Sequence, residues 1–248
     1  MTNIVDEFAG RVNPVSINIE TLQYLDSMIK TKNITSVLEF GSGVSTEFWS
    51  EKLPDATIVS FDNSRRYTKI TRSRLNRKAV NATVSFAPLR IKKIFGLHYI
   101  TCKFLPKLRK IAPPKPFDVM LIDGPPGYLY AREATLLQAY PYLDENTLII
   151  LDDAERQIER ETIARWSSVF KITNLEYHEV GQKQIATFNI EPKPSQPTMS
   201  KSPIYTRSKM VKLLLTFHRR NIMHNLWILK MRLLNREPFP DQKMADSE

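Results

Sequence analysis

Residues 36–46 read Ser-Val-Leu-Glu-Phe-Gly-Ser-Gly-Val-Ser-Thr, and this stretch decides the predicted fold. Its first five residues form a short, mostly apolar run of the kind that fills a buried parallel strand. Gly41 and Gly43 follow at once, and glycine lets the backbone turn tightly before the next element. A helix is predicted from Val44, so the stretch indicates a strand, a glycine turn and a helix.

The alternation of strand and helix continues along the chain as far as residue 170. Further elements are predicted as strands at 56–61, 82–89, 117–122 and 147–151, and as helices at 17–30, 44–52, 64–77, 130–143 and 155–170. Two last strands, near 171–178 and 184–190, have no helix between them, so we expect an antiparallel pair at one edge. The pattern predicts a Rossmann-like α/β fold, with a mostly parallel seven-stranded sheet and helices on both faces.

Composition divides the chain into a folded domain, a linker and a basic extension. Residues 1–191 hold every predicted strand and include a basic insertion at residues 90–116. Residues 192–203 carry four prolines, which is typical of a linker. Residues 204–248 are predicted to form a basic amphipathic helical extension that ends in a polar tail.

Positive charge is concentrated in two segments of the chain. Residues 63–117 hold 15 Lys and Arg and no Asp or Glu, and residues 192–236 hold ten basic and no acidic residues. The whole chain has a formal net charge of +10. Clustered positive charge attracts anions, so an anionic partner is predicted; a hydrated basic surface without a partner is the alternative.

Cysteine usage and hydropathy exclude several classes of protein. Cys102 is the single cysteine, so the sequence offers neither an intrachain disulfide nor a cysteine cluster for zinc. No run approaches the ~18 apolar residues of a membrane-spanning helix, and the acidic N-terminus lacks the apolar stretch of a signal peptide. We therefore expect a cytoplasmic protein whose membrane contact is limited to peripheral binding at the inner face.

Two features that follow predicted strands indicate a nucleoside-containing cofactor. The glycine turn at 41–43 leads into a helix whose first N–H groups are unpaired. Asp62 ends the next strand, about twenty residues later, where a carboxylate accepts hydrogen bonds from ribose hydroxyls. NAD is the weaker candidate, because the third glycine of its fingerprint would fall at Thr46.

These motifs resemble those of class I S-adenosylmethionine-dependent methyltransferases. Val37-Leu-Glu-Phe-Gly-Ser-Gly43 is similar to their first motif, and Phe61-Asp62 is similar to their second. Asp118-Val-Met-Leu-Ile-Asp-Gly-Pro125 resembles a branch whose fourth strand ends in Asp-Gly-Pro, which includes glucuronoxylan and bacterial glycan methyltransferases. The resemblance covers residues 17–190 and implies S-adenosylmethionine as the cofactor.

The resemblance also implies which residues contact the cofactor. Glu39 would orient the methionine part, directly or through water, and Asp62 would bind the ribose. Ala87 and Pro88 would lie beside the adenine. The full implied set is Glu39, Gly41, Ser42, Gly43, Asp62, Asn63, Ala87, Pro88 and Asp123.

Asp123, Asp152 and Asp153 follow the fourth and fifth predicted strands. Adjacent parallel strands lie ~4.8 Å apart, so these carboxylates are predicted to converge, and they repel unless a proton or a cation lies among them. Mg²⁺ or another divalent metal would satisfy them and hold an acceptor hydroxyl, and the spacing resembles that of metal-dependent O-methyltransferases. The alternative is structural: Asp123 fixes the Gly-Pro-Pro-Gly turn, and Asp152 or Asp153 caps the next helix.

Methyl transfer requires an oriented acceptor and a group that removes its proton. Asp123 is the preferred catalytic candidate, because it follows the fourth strand directly. His98 is the second candidate and His178 the third, on the basis of residue type alone. For both histidines a structural or exposed position is the alternative.

The acceptor is predicted to be anionic. The insertion interleaves Phe95, Tyr99 and Phe104 with basic residues, a pattern that would suit a lid over an acidic sugar or an RNA-binding surface. Base N-methylation is disfavoured, because Asp-Gly-Pro-Pro-Gly stands where Asn/Asp-Pro-Pro-Tyr/Phe would be expected. The favoured function is O-methylation of an anionic glycan or sugar hydroxyl. The alternatives are RNA methylation and a non-catalytic Rossmann-like protein that docks through its basic tail.

The extension has two interpretations that the sequence does not separate. Residues 204–236 combine Trp and Leu with Lys and Arg, as in helices that lie on an anionic bilayer surface. The same pattern suits a helix that docks on the folded domain or on a second subunit.

Overall fold

The computed structural model describes residues 4–12, 16–75, 81–194 and 205–233. Its strands, in chain order, are β1 (Ser36–Phe40), β2 (Thr57–Asp62), β3 (Ala82–Phe86), β4 (Leu89–Ile94), β5 (Leu97–Cys102), β6 (Val119–Ile122), β7 (Leu148–Leu151), β8 (Lys171–Val180) and β9 (Lys183–Glu191). Seven of them form one sheet in the order β3-β2-β1-β6-β7-β9-β8, and β4 and β5 form a separate hairpin. The first five strands of the large sheet run parallel, and β9 and β8 are the antiparallel pair. The predicted fold class is therefore confirmed.

The helices connect the parallel strands and cover both faces of the sheet. They are α1 (Ile4–Phe8), α2 (Ile19–Ile29), α3 (Val44–Lys52), α4 (Arg65–Leu75), α5 (Leu105–Ile111), α6 (Ala131–Ala139), α7 (Gln157–Ser167) and α8 (Arg207–Leu233). Successive strand residues point to opposite faces, so Leu38 and Phe40 lie in one apolar core while Val37 lies in the other. The sheet is thus buried on both sides, as its near-continuous apolar strands predict.

The strand register brings the carboxyl ends of the central strands level with one another. Phe40, the last residue of β1, pairs with Phe61 in β2 and with Ile122, the last residue of β6. Ile122 in turn pairs with Leu151, the last residue of β7. Loops that leave these strands therefore start side by side, at the edge where doubly wound sheets bind their ligands.

The insertion differs from its prediction. The strand predicted at 82–89 ends at Phe86, and residues 89–102 form the β4–β5 hairpin instead. Tyr99 and Phe104 have no exposed area, because they pack in the apolar core that the hairpin shares with α6. These two aromatic side chains cannot stack on an acceptor, so their predicted part in a lid is wrong.

Helix α8 packs against the hairpin along one face. Met210 and Phe217 are buried in the same core as the hairpin, and Tyr205 is buried just before the helix begins. The Tyr205 hydroxyl donates a hydrogen bond to Glu133 on α6, whose other oxygen accepts one from Tyr99 at 3.3 Å. Most of the predicted linker and the predicted polar tail lie outside the described residues. Among the described helices, none combines the length and apolarity needed to cross a membrane.

Candidate cofactor and acceptor site

Glu39 is a buried carboxylate in the middle of the sheet edge. Its Oε2 atom accepts a hydrogen bond of 2.6 Å from the Ser60 hydroxyl and another from the Thr46 hydroxyl. Oε1 is buried and has no hydrogen-bond partner among the described residues. Burial raises the pKa of Glu39 to about 7, although the hydrogen bonds from Ser60 and Thr46 oppose that rise. A cationic donor that reached Oε1 would satisfy this atom.

Asp62 ties the glycine loop to the end of β2. Its Oδ2 atom accepts hydrogen bonds from the Ser42 amide at 2.8 Å and the Ser42 hydroxyl at 3.1 Å. Its Oδ1 atom accepts one from the Ser64 amide at 2.6 Å. Burial raises the pKa of Asp62, while the hydrogen bonds from Ser64 and Ser42 oppose the rise. The neighbouring Asn63 is half-buried.

The residues implied to lie beside the adenine follow β3. The Ala87 amide donates to the Asp62 carbonyl at 2.7 Å, which brings the end of β3 against the end of β2. Ala87 is buried, whereas Pro88 is exposed. The implied ribose and adenine residues are therefore neighbours in space.

Gly41 is required by its close contact with the loop after β6. Its φ is +99°, a conformation that favours glycine, and a Cβ atom there would lie 3.1 Å from the Gly124 amide nitrogen. The amides of Asp123 and Gly124 both donate to the Phe40 carbonyl, at 2.9 and 2.7 Å. The glycine loop that contains Gly43 thus rests directly on the backbone that carries Asp123.

The carboxylates of Asp123, Asp152 and Asp153 form an acidic cluster beyond β6 and β7. One oxygen from each lies within 4.8 Å of the others. Asp152 and Asp153 are buried, whereas 22% of the Asp123 side chain is exposed. Burial raises the pKa of Asp152 well above its ordinary value, and the charges of Asp123 and Asp153 add to the rise. Burial also raises the pKa of Asp123, against the opposing charge of Arg132.

Arg132 on α6 holds the acidic cluster in place. Its guanidinium is buried and lies 2.9 Å from Asp153 Oδ2 and 3.2 Å from Glu159 Oε1. Its remaining N–H groups donate to three backbone carbonyls at the ends of the two strands, those of Asp123, Pro125 and Asp152. Arg132 thus joins the loops after β6 and β7 through hydrogen bonds to these carbonyls and to Asp153, and its contact with Glu159 is an ion pair.

Lys183 brings a second cation to the cluster. Its Nζ atom lies 2.9 Å from Asp153 Oδ1 and 3.6 Å from Asp152 Oδ2. Burial disfavours charge on Asp153, yet Arg132 and Lys183 outweigh it and lower the pKa of Asp153 to about 2. Burial would lower the pKa of Lys183, but Asp152 and Asp153 outweigh it and raise that pKa. Asp153 and Lys183 therefore favour their charged forms.

The two histidine candidates do not join the cluster. His178 on β8 lies 2.9 Å from the Thr187 hydroxyl and 3.2 Å from the Tyr24 hydroxyl, on the face that α2 covers. His98 pairs with Lys93 near the turn of the hairpin. Within the described ranges, no hydrogen bond or ion pair joins either histidine to Asp123.

Arg132 and Lys183 are not among the residues predicted from the sequence, and only for Lys183 does the sequence hold a usable signal. The sequence predicts an antiparallel pair at the sheet edge. The second strand of that pair, β9, starts beside the end of β7. Pairing of Leu151 with Ala186 does place Lys183 there. Arg132 carries no such signal, because its contact with the cluster depends on how α6 packs.

Comparison with known proteins finds solved structures with a similar fold. No family model and no curated protein matches the chain. A putative O-methyltransferase from Klebsiella pneumoniae aligns over 77% of this chain and 91% of its own, with a TM-score of 0.56 and 18% identity. An O-methyltransferase from Bacillus cereus, solved in complex with SAH, aligns over 77% and 92%, with a TM-score of 0.53 and 18% identity. The O-methyltransferase TomG from Streptomyces achromogenes, solved with SAM, aligns over 76% and 86%, with a TM-score of 0.51 and 15% identity. The chain therefore has the fold of these enzymes.

Proposed function

We propose that the protein is an S-adenosylmethionine-dependent methyltransferase that methylates a hydroxyl of an anionic glycan or related sugar. The observation that carries the cofactor assignment is Glu39, a buried carboxylate with one unpartnered oxygen, beside the glycine loop and Asp62. The methionine part of the cofactor ends in an ammonium group, which is the kind of donor that Glu39 Oε1 lacks. The O-methyltransferases named above share the fold and were crystallised with this cofactor or its product in two of the three cases.

The other implied contacts suit a nucleoside. Asp62 keeps its carboxylate at the end of β2, where the ribose hydroxyls of a bound cofactor would donate to it. Ala87, whose side chain is small and buried, lies next to Asp62 at the end of β3. When bound, S-adenosylmethionine supplies an electrophilic methyl group on a sulfonium.

The acceptor side of the site is assigned to Asp123. An in-line displacement requires that the acceptor oxygen be oriented and lose its proton. Asp123 is the most exposed carboxylate of the acidic cluster and stands on the loop that contacts Gly41. Its raised pKa makes it a stronger base than an ordinary aspartate. Asp123 would therefore accept the hydroxyl proton as the methyl group is transferred.

A divalent metal does not fit the acidic cluster as it stands. Both oxygens of Asp153 already face cations, Arg132 on one side and Lys183 on the other. Asp152 favours its protonated form, which is a poor metal ligand. We therefore assign no step of the reaction to a metal.

Cofactor binding is testable by calorimetry, and Glu39 gives the test a pH signature. Only the ionised carboxylate attracts an ammonium group, and the pKa of Glu39 is about 7. Affinity for S-adenosylhomocysteine should therefore rise about tenfold from pH 6 to pH 8, as the competent fraction rises. Protons are released on binding, so the affinity increases with pH and levels off above the pKa.

The Glu39→Gln variant is the matched control for this titration. It should bind more weakly and show no rise between pH 6 and pH 8, and neither protein should bind NAD. Binding of NAD in place of S-adenosylhomocysteine would overturn the proposal. A wild-type affinity that is flat with pH would remove Glu39 from the ammonium site and leave the cofactor assignment intact.

A second proposal concerns the outer face of α8. Val211, Leu215, Ile222 and Leu226 are all exposed, and their spacing places them on one stripe. Arg207 and Arg219 lie one turn away from stripe residues and are exposed too. Because the opposite face packs on the domain, we propose that this stripe docks on an anionic bilayer surface.

Flotation with lipid vesicles tests the docking proposal. The full-length protein should bind phosphatidylserine vesicles and float with them. It should not bind neutral phosphatidylcholine vesicles and should remain at the bottom of the gradient. A Leu215→Ser, Ile222→Ser double variant should lose most of this binding, whereas Leu175→Ser, an exposed apolar residue on β8, should keep it. Equal flotation of the double variant would show that the stripe is not the docking surface.

A further inference from the structure

Lys183 lies beside both of the buried aspartates of the acidic cluster. Lys183 begins β9, which runs antiparallel to β7 and so starts at the carboxyl end of that strand. The antiparallel direction of β9 places the lysine alongside Asp152 and Asp153, with Nζ–oxygen distances of 3.6 and 2.9 Å. In the lysine, 28% of the side chain is exposed, against 1% in Asp152 and 4% in Asp153. Lys183 therefore lies on the open side of the two aspartates.

A divalent metal would require the same oxygens that Lys183 faces. Mg²⁺ binds oxygen ligands at ~2.1 Å, so an ion on Asp152 and Asp153 would lie within a few ångströms of the lysine ammonium. Two cations at that separation repel strongly in a buried site. Arg132 closes the alternative approach, because it lies 2.9 Å from the second oxygen of Asp153.

We propose that Lys183 is the resident cation of the acidic cluster and occupies the place that a divalent metal would take. Four carboxyl groups, those of Asp123, Asp152, Asp153 and Glu159, face the cations of Arg132, Lys183 and Arg156. Three positive charges against at most four negative ones leave this group of side chains close to neutral, which weakens its attraction for a further cation. This inference concerns metal binding and does not depend on methyl transfer.

Removal of the lysine should turn the cluster into a metal site. The Lys183→Ala variant leaves Asp152 with no neighbouring cation from β9 and opens a channel to solvent along the former side chain. Carboxylate oxygens are the ligands that hard divalent cations prefer. The Lys183→Arg variant keeps a cation on the same strand and should retain the wild-type behaviour.

Electron paramagnetic resonance of Mn²⁺ measures the outcome directly. Wild type and Lys183→Arg should leave Mn²⁺ free, whereas Lys183→Ala should bind one ion per chain, and adding Asp152→Asn should abolish that binding. Lys171→Ala, which removes an exposed lysine on β8, is the control for charge alone. Binding of one Mn²⁺ to the wild type that Asp152→Asn abolishes would overturn the proposal, as would a folded Lys183→Ala variant that binds none.

Stability provides a second readout if the alanine variant is too unstable to purify without metal. Mn²⁺ should raise the melting temperature of Lys183→Ala and leave that of the wild type unchanged, because only the variant binds it when folded. Equal shifts in both proteins would contradict the proposal.

Discussion

An Arg132→Met variant is expected to lose about 3–5 kcal/mol of unfolding free energy, the range for breaking a buried ion pair by removing one partner. Methionine fills a similar volume but donates no hydrogen bond. The substitution leaves Asp153 and Glu159 without the guanidinium that lies 2.9 and 3.2 Å from them. It also removes the donors to three carbonyls at the ends of β6 and β7.

Urea denaturation followed by circular dichroism measures the loss. Arg160→Met is the matched control, because Arg160 is an exposed arginine on α7 that also donates to a backbone carbonyl, that of Ala154. We expect the control to lose about 1 kcal/mol or less, the usual range for an exposed arginine. Similar losses for the two variants would show that the buried guanidinium does not hold the site together.

The unfolding free energy lost in Arg132→Met should also depend on pH, and it should decrease at low pH. Although burial opposes its charge, Arg132 and Lys183 hold the pKa of Asp153 at about 2, below its ordinary value of 3.8. The ionised form therefore stabilises the fold above pH 3.8, and this stabilisation is lost as the pH falls towards 2. The gap between wild type and Arg132→Met should be widest near neutral pH and should narrow below about pH 4.

The sequence predicted the sheet edge well, because parallel strands in register make strand ends converge. Asp62, Asp123 and Asp152 each end or follow a predicted strand, and Glu39 is the last residue but one of another, so the sequence pattern was enough to place them along one edge. Arg132 could not be found in this way. It lies on a helix that is buried almost all round, so no polar face marks the residue that turns towards the carboxylates.

The insertion differs from its prediction for a related reason. Aromatic residues alternating with lysines suggest a surface that binds a ligand, but a strand with one buried face has the same alternation. Lys92 and Tyr99 pair across the hairpin, and both reach α6, where Lys92 donates to Gln138 at 2.9 Å. The aromatic side chains of the insertion are buried by α6 and α8, which lie far away in sequence. The pattern of the insertion itself therefore could not reveal their burial.

The largest expected effect on activity belongs to Asp123→Asn. Asparagine keeps the shape of the side chain and leaves the backbone contacts of this loop with Phe40 in place. It cannot accept a proton from the acceptor, so the rate of transfer should fall by roughly 10²–10⁴-fold, the range for loss of a general base. Affinity for S-adenosylhomocysteine should change far less than the rate, because Glu39 and Asp62 are untouched.

The measurement is methyl transfer from radiolabelled S-adenosylmethionine to a panel of acidic sugars, with neutral sugars and RNA alongside. Asp55→Asn, an exposed aspartate before β2, controls for loss of one negative charge. Transfer to acidic sugars that Asp123→Asn abolishes and Asp55→Asn preserves would establish both the acceptor class and the base. Transfer that survives in Asp123→Asn would mean that orientation alone drives the reaction. The raised pKa of Asp123 would then be only a consequence of its burial, rather than a catalytic property.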